Sequence, residues 1–372
     1  MDGTGDGTGS RDQQGAASGR AGGGEGAGPP YALTDLWYYA MPSYELGPGE
    51  LLPKTILGRD LVFGREGDGA PFCLEDICPH RGIPLRFGRL DGADVECCYH
   101  GWRFAPDGCL KEIPSLTEDQ EFDFSRIRVT AFPCREASGN IWVWMGAGKG
   151  PFTPDIGIPE LPGGDPGPIR IFDRQIFPCP MDQAVMGLMD PAHGPFVHAS
   201  WWWRPRTSAY EKAKAFAPSE YGFTMCRHRP SKNSRGYKLL GGTPETETVF
   251  RLPGIRVEEV EAGDNRVLCL TCVTPIGPDA TEVNQIVYWN IPWLAPFTPF
   301  IRHYAKRFLG QDRDIVTKQQ YGLAHNPPMR LIDDADLPAK WYLRLKWEFA
   351  RARADGRPFE NPVPRTTLRW RT

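Results

Sequence analysis

The chain has 372 residues, too many for one small module and enough for about two domains. Forty per cent of the residues are hydrophobic and 24% charged, an ordinary globular composition. Lysine and arginine number 43 against 46 acidic residues, and the net charge of −3 excludes nucleic acid as the main partner, because binding phosphates needs a basic excess.

Residues 1–30 contain eleven glycines and no apolar stretch, so they read as a disordered tail and not as a signal peptide. Without an export signal, a cytoplasmic location is expected. The ten cysteines are then expected as free thiols or metal ligands rather than disulfides. From Leu36 to about Trp144, short apolar runs alternate with turn residues: Thr55–Leu57, Asp60–Phe63, Phe72–Leu74, Arg126–Phe132 and Asn140–Trp144. This predicts an all-β domain over 31–150. The Gly/Pro-rich segment 146–168 marks the boundary with a second domain over 151–372. There the pattern is α+β: strands at Ile169–Phe177, Thr246–Leu252, Arg266–Thr274 and Glu282–Ile291, and helices at Met181–Ala192, Gln311–Tyr321 and Ala339–Ala354. No run of about eighteen apolar residues predicts a transmembrane helix. The most apolar stretch, Ile286 to Ile301, is interrupted by Pro292, Pro296 and Pro299 and reads as buried strand plus loop.

Two motifs carry chemistry. The first is Cys78-Pro79-His80 and, sixteen residues on, Cys97-Cys98-Tyr99-His100-Gly101-Trp102. One Cys and one His in each of two loops is the inventory of a [2Fe–2S] cluster with two thiolates on one iron and two imidazoles on the other. A structural zinc site is the rival, although zinc fingers usually pair two Cys and then two His. Cys98 reads as a packed small residue beside a ligand. The second motif is Asp190-Pro191-Ala192-His193-Gly194-Pro195-Phe196-Val197-His198. Asp190 and His193 are expected to share a helix face. Gly194-Pro195 is expected to break that helix and swing His198 back toward His193. Two His and one distant carboxylate form the facial arrangement that binds Fe(II) and leaves positions open.

The run CPHRGIPL…CCYHGW resembles the Rieske motif of the Rieske non-heme iron oxygenases, and the D-x-x-H-x₄-H run resembles their iron motif. The respiratory Rieske proteins carry an extra cysteine in each loop, where this chain has Ile83 and Tyr99. The resemblance is to the shorter α-subunits, of the pheophorbide a oxygenase, vanillate O-demethylase and dicamba demethylase type. It implies a Rieske domain followed by a helix-grip catalytic domain, with Cys78, His80, Cys97 and His100 on the cluster and His193 and His198 on a mononuclear Fe(II). Gln311-Asp312 to Gln319-Gln320 resembles the helix that carries the third ligand, which puts Asp312 at the ligand position and leaves Asp314 as the competitor. Those two side chains point about 200° apart on a helix, so only one faces the site; a solvated acidic turn at a helix start is the alternative. Asp190 matches the family's bridge to a neighbouring subunit's cluster histidine in a head-to-tail homotrimer. The family's Asn upstream of that bridge is absent: Met186-Gly187 stands there, with Asp182 the nearest upstream carboxylate.

The resemblance further implies O₂ as co-substrate and electrons from an external NAD(P)H-dependent reductase, directly or through a ferredoxin. The reaction would be hydroxylation or oxidative demethylation of a small hydrophobic, aromatic or polycyclic substrate. Arene cis-dihydroxylation is one alternative. Two others from different classes are a Rieske electron carrier with a degenerate second domain and a ligand-sensing module without turnover. Trp201-Trp202-Trp203 read equally as a pocket wall or as packing, and Arg81, Arg86 and Arg89 as a docking patch for an acidic ferredoxin. Cys226-Arg227-His228, Cys269-x-x-Cys272 and Gly146–Gly150 are expected to bind neither metal nor nucleotide.

Overall fold

A computed structural model describes residues 31–198, 210–230 and 240–372. The expected tail and Trp201–Trp203 lie outside the described residues. The first half is built from eleven strands: β1 (Leu36–Pro42), β2 (Leu52–Ile56), β3 (Arg59–Arg65), β4 (Pro71–Glu75), β5 (Arg89–Asp91), β6 (Asp94–Glu96), β7 (Arg103–Phe104), β8 (Leu110–Glu112), β9 (Ala131–Phe132), β10 (Cys134–Ala137) and β11 (Asn140–Met145). They form three antiparallel sheets ordered β2-β3-β4-β9, β5-β6-β7-β8 and β1-β11-β10. The β2–β3 hairpin turns on Leu57-Gly58, both at positive φ, which matches the twist of the flanking strands. Of the strand expected over Arg126–Phe132, only Ala131–Phe132 and one bridge at Arg128 form. The Asp123 carboxylate accepts the Ser125 N–H at 2.9 Å, and the Ile127 N–H turns back to the Phe124 carbonyl at 2.9 Å. That turn chemistry competes with the ladder.

The second half is one eight-stranded antiparallel sheet with helices. Its elements are β12 (Ile169–Phe177), α1 (Met181–Met189), α2 (Gly194–Val197), β13 (Glu211–Ser219), β14 (Gly222–His228), β15 (Glu245–Arg251), β16 (Ile255–Ala262), β17 (Asn265–Gly277), β18 (Ala280–Trp289), α3 (Thr298–Leu323), α4 (Leu337–Asp355) and β19 (Thr366–Arg371). The strand order is β12-β18-β17-β16-β15-β14-β13-β19. The α+β architecture expected from the sequence is therefore present. Gly356, at φ 64°, closes α4 just past Asp355, where a left-handed residue ends a helix most easily. No helix among the described residues is long and apolar enough to cross a membrane.

Two helix boundaries differ from expectation by more than two residues, each because of a proline. α1 stops at Met189 and not Ala192, since Pro191 holds Asp190 extended at ψ 118°. α3 begins at Thr298 and not Gln311, because Pro299 occupies its first turn, where its missing N–H costs nothing. Strands β13, β14, β16 and β19 were not anticipated. Lys212 in β13 and Glu259 in β16 occupy inward positions that a hydropathy reading assigns to solvent.

Three hydrophobic clusters form among the described residues; one of them, with Ile171, Val260, Trp289 and Ile291, lies on the large sheet. A small one, including Val62, Leu74, Leu85, Val95 and Phe104, holds Cys78 and Cys97. The largest runs from Trp37, Trp142 and Trp144 of the first half into Leu270, Ile286 and Trp341 of the second. Thr274 Oγ1 donates to the Tyr39 carbonyl at 3.1 Å and Asn140 Nδ2 to the Tyr288 hydroxyl at 2.6 Å, so the β1-β11 ladder and the large sheet are fixed to one another.

Candidate metal centres

The loops after β4 and β6 make the same turn twice. The Cys78 N–H bonds the Ile83 carbonyl and the Gly82 N–H the Cys78 carbonyl, both at 2.9 Å; the Cys97 N–H bonds the Trp102 carbonyl at 2.9 Å and the Gly101 N–H the Cys97 carbonyl at 3.0 Å. Gly82 (φ 72°) and Gly101 (φ 69°) stand at equivalent places, in a conformation that glycine adopts without strain. Each turn buries its cysteine in the small core and sends its histidine to the rim. The His80 and His100 rings lie 4.5 Å apart, and His80 stacks on Trp102 at 4.4 Å. Burial pushes the Cys78 thiol up to about 11, so a thiolate there needs a cation beside it. Desolvation, with His80 and Arg81 nearby, lowers the His100 pKa and favours the neutral, ligating imidazole. His100 Nδ1 is buried without a hydrogen-bond partner. Two buried cysteines and an orphaned imidazole nitrogen fit a two-thiolate, two-imidazole cluster.

The arginines beside these loops are mostly committed to neighbours. Arg86 Nε pairs with the buried Asp76 at 2.5 Å, and Arg89 with Glu96 at 2.8 Å. Arg81 lies 6.0 Å over the Tyr99 ring.

The second constellation lies between α2 and α3. His193 Nε2 and His198 Nε2 are 3.1 Å apart, and Asp312 Oδ1 is 3.6 and 3.2 Å from them respectively. Donors at right angles about 2.1 Å from an ion are about 3 Å apart, so a triangle of this size accepts one. Among the described residues no other group of three or more such donors comes this close together. The His193 Nδ1–H donates to the Asp190 carbonyl at 2.7 Å and the His198 Nδ1–H to Gln311 Oε1 at 3.0 Å. With the protons on Nδ1, both Nε2 atoms present lone pairs to each other and to a carboxylate, an arrangement that a bound cation satisfies. Phe308 stacks on the His198 ring at 3.5 Å and covers it.

Local geometry departs from the expected route to this convergence. Asp190 and His193 do not share a helix face, because the chain is already extended at Asp190. Nor does Gly194-Pro195 break a helix: Pro195 sits in the first turn of α2, and one intact turn joins His193 to His198, whose N–H bonds the Gly194 carbonyl at 3.0 Å. The Asp190 carboxylate accepts the Ala192 N–H at 2.6 Å, and burial raises its pKa. Asp312 lies in the middle of α3 and is buried, whereas Asp314 is exposed beside Arg313. Asp182 turns away from the triad and is held by Lys346 Nζ at 2.6 Å and the Tyr342 hydroxyl at 2.6 Å. Gln311 and Phe308 were not identified as site residues. An amide and a ring on a helix carry no signal of their own until the helix register is known.

Among the described residues, two cavities open onto the triad. One, of about 220 Å³, lies between the sheet and α3; the other, of about 540 Å³, lies among α1, α3 and α4 and includes Met186 and Gly187. The apolar stretch from Ile286 to Ile301 lines neither cavity. It goes instead into β18, a 3₁₀ turn over Pro292–Phe297 and the start of α3.

Residues 36–133 match the family model described as the Rieske [2Fe-2S] domain. Along most of its length the chain is similar to a chlorophyllide a oxygenase of Chlamydomonas reinhardtii, with 36% identity over 89% of this chain and 51% of that protein. It carries a Rieske [2Fe-2S] domain and is similar to oxygenases along most of its length. The oxygenase subunit of phthalate 4,5-dioxygenase from Pseudomonas putida is 26% identical over 77% of this chain and 65% of that one. The fold is that of dicamba monooxygenase, whose dicamba-bound crystal structure superposes with a TM-score of 0.67 at 20% identity, covering 87% of this chain and 99% of that one. The chain spans about half the length of the chlorophyllide oxygenases it matches.

Proposed function

We propose that this chain is a terminal oxygenase that uses O₂ and electrons from a separate NAD(P)H-dependent reductase to hydroxylate or oxidatively demethylate an aromatic substrate. The observation that carries the reading is the pair of Nε2 lone pairs facing one carboxylate oxygen within 3.6 Å, in a chain that also holds a Rieske domain. Cys78, His80, Cys97 and His100 are the residues to hold the cluster, and His193, His198 and Asp312 those to hold Fe(II). Bound there, the cluster supplies electrons one at a time and the Fe(II) supplies the chemistry of O₂.

The chain's own residues do the rest. The Asp190 carbonyl and Gln311 Oε1 keep the protons of both histidines on Nδ1. Phe308 shields His198 from water. The Asp190 side chain, beside His193 and open to the larger cavity, would be the bridge to a cluster histidine of a neighbouring copy in a head-to-tail homotrimer. One oxygen atom goes into a C–H bond and the other leaves as water, with two electrons and two protons consumed. If the carbon is an O- or N-methyl group, the product then collapses with loss of formaldehyde. The phthalate relative is itself named an oxygenase subunit, which supports a separate electron donor. Ten free cysteines fit a reducing compartment, the cytosol or a plastid stroma alike.

His193→Ala tests the assignment. The variant is expected to keep the visible spectrum of the cluster and to lose product formation when a surrogate reductase and a panel of methoxyarenes are supplied. Product formed at the unmodified rate would overturn it.

A further inference from the structure

The apolar stretch that lines neither cavity ends on the outside of the protein. Leu294, Ile301 and Ala305 turn inward and pack against the cluster of Ile171, Trp289 and Ile291. Trp293, Phe297 and Phe300 turn outward and are 49%, 55% and 61% exposed. Pro292, Pro296 and Pro299 stiffen this turn and carry no N–H to be left unpaired away from water. The first turns of α3 then present Arg302, His303, Lys306 and Arg307, all exposed. Phe300, His303 and Arg307 fall within about 60° of one another around the helix, on the side away from the buried Leu309 and Val316. Among the described residues no carboxylate pairs with Arg302, Lys306 or Arg307, whereas Arg313, further along α3, is held by Asp314 at 3.3 Å. The sequence from Val283 to Gln311 contains no Asp or Glu, although the whole chain carries a net charge of −3. Exposed aromatic rings and unpaired cations therefore share one surface.

We propose that the surface from Trp293 to Arg307 docks on a membrane whose lipids are anionic. Trp and Phe rings settle at the boundary between headgroups and acyl chains, and Lys and Arg beside them meet the lipid phosphates. An exposed apolar patch marks an interaction surface, and here the charge decides among its occupants. A second copy docked about a twofold axis would set these cations against the same cations. An anionic lipid surface pairs with all of them at once. Asp312 lies about 15 Å along α3 from Arg302, so docking holds the triad near the lipid. The inference does not depend on the oxygenase reading.

Co-sedimentation of the full-length, cluster-loaded protein with lipid vesicles tests the proposal. The vesicles are made of phosphatidylcholine alone or with about one-third phosphatidylglycerol. The parent is expected to bind the anionic vesicles about tenfold or more tightly than the neutral ones, and less tightly as salt rises. Arg302→Gln, Lys306→Gln and Arg307→Gln should each weaken that binding about fivefold, and the triple variant should lose the preference for anionic lipid. Trp293→Ser combined with Phe297→Ser should weaken binding to the anionic vesicles about tenfold or more. All five side chains are exposed, so each variant should keep the melting temperature and cluster spectrum of the parent. Equal binding to the two kinds of vesicle, or variants that bind as the parent does, would overturn the proposal. So would an oligomeric parent that Trp293→Ser with Phe297→Ser splits in sedimentation velocity, since the patch would then belong to a second copy.

Discussion

Gln311 sits one residue before Asp312 on α3, yet it acts on the other side of the site, through the His198 ring. By accepting the Nδ1 proton at 3.0 Å it leaves Nε2 bare toward His193 and Asp312. A partner of this kind is commonly worth ten- to a hundredfold in metal affinity. Gln311→Leu is therefore expected to weaken mononuclear iron binding by about that factor, measured by competition with a chelator, while the Rieske spectrum is unchanged. Iron affinity equal to that of the parent would mean that Gln311 does not orient the ring. The candidate ligands were legible in the sequence because Cys and His are rare here and fall into two spaced motifs: four of the seven histidines lie in them. Gln311 was not legible, since nothing in a lone amide tells which ring it will meet. Lys212 was hidden for a different reason: a lysine normally marks a solvent position, and here it is 7% exposed.

At the scale of elements, the site depends on how α1 is anchored. Asp182 in its first turn receives Lys346 and Tyr342 from α4, and Lys346 is only 1% exposed. Removing one partner of such a pair leaves a charge without compensation, which costs more than replacing both. Lys346→Met is expected to destabilise the protein by about 3 kcal/mol, since Asp182 keeps some contact with water. The double variant Lys346→Met, Asp182→Leu should recover much of that loss. Urea titration of the two variants checks this, and a double variant no more stable than the single would contradict it. The strands with clean alternation between apolar and polar residues, such as Ile169–Phe177, were readable along their whole length. Helix limits were not, because proline has opposite meanings at different positions: Pro191 ends α1 and Pro299 starts α3.

For the whole molecule, the division of labour follows two of the hydrophobic cores. The small core packs around two cysteines, between two four-stranded sheets. The larger core joins the β1-β11 ladder to the eight-stranded sheet, so the cluster loops and the triad are carried on one continuous framework. The order of the two motifs, all-β first and α+β second, was apparent from composition and turn residues. The shared core was not, because strands buried on both faces, such as β1 and β11, look the same whichever domain they pack against. The central claim is that one chain holds both a Rieske cluster and a mononuclear iron. The most direct test is iron and acid-labile sulfide per chain, after anaerobic loading with Fe(II) and desalting. Three irons to two sulfides is the predicted result; two irons to two sulfides would leave the cluster alone and contradict the account.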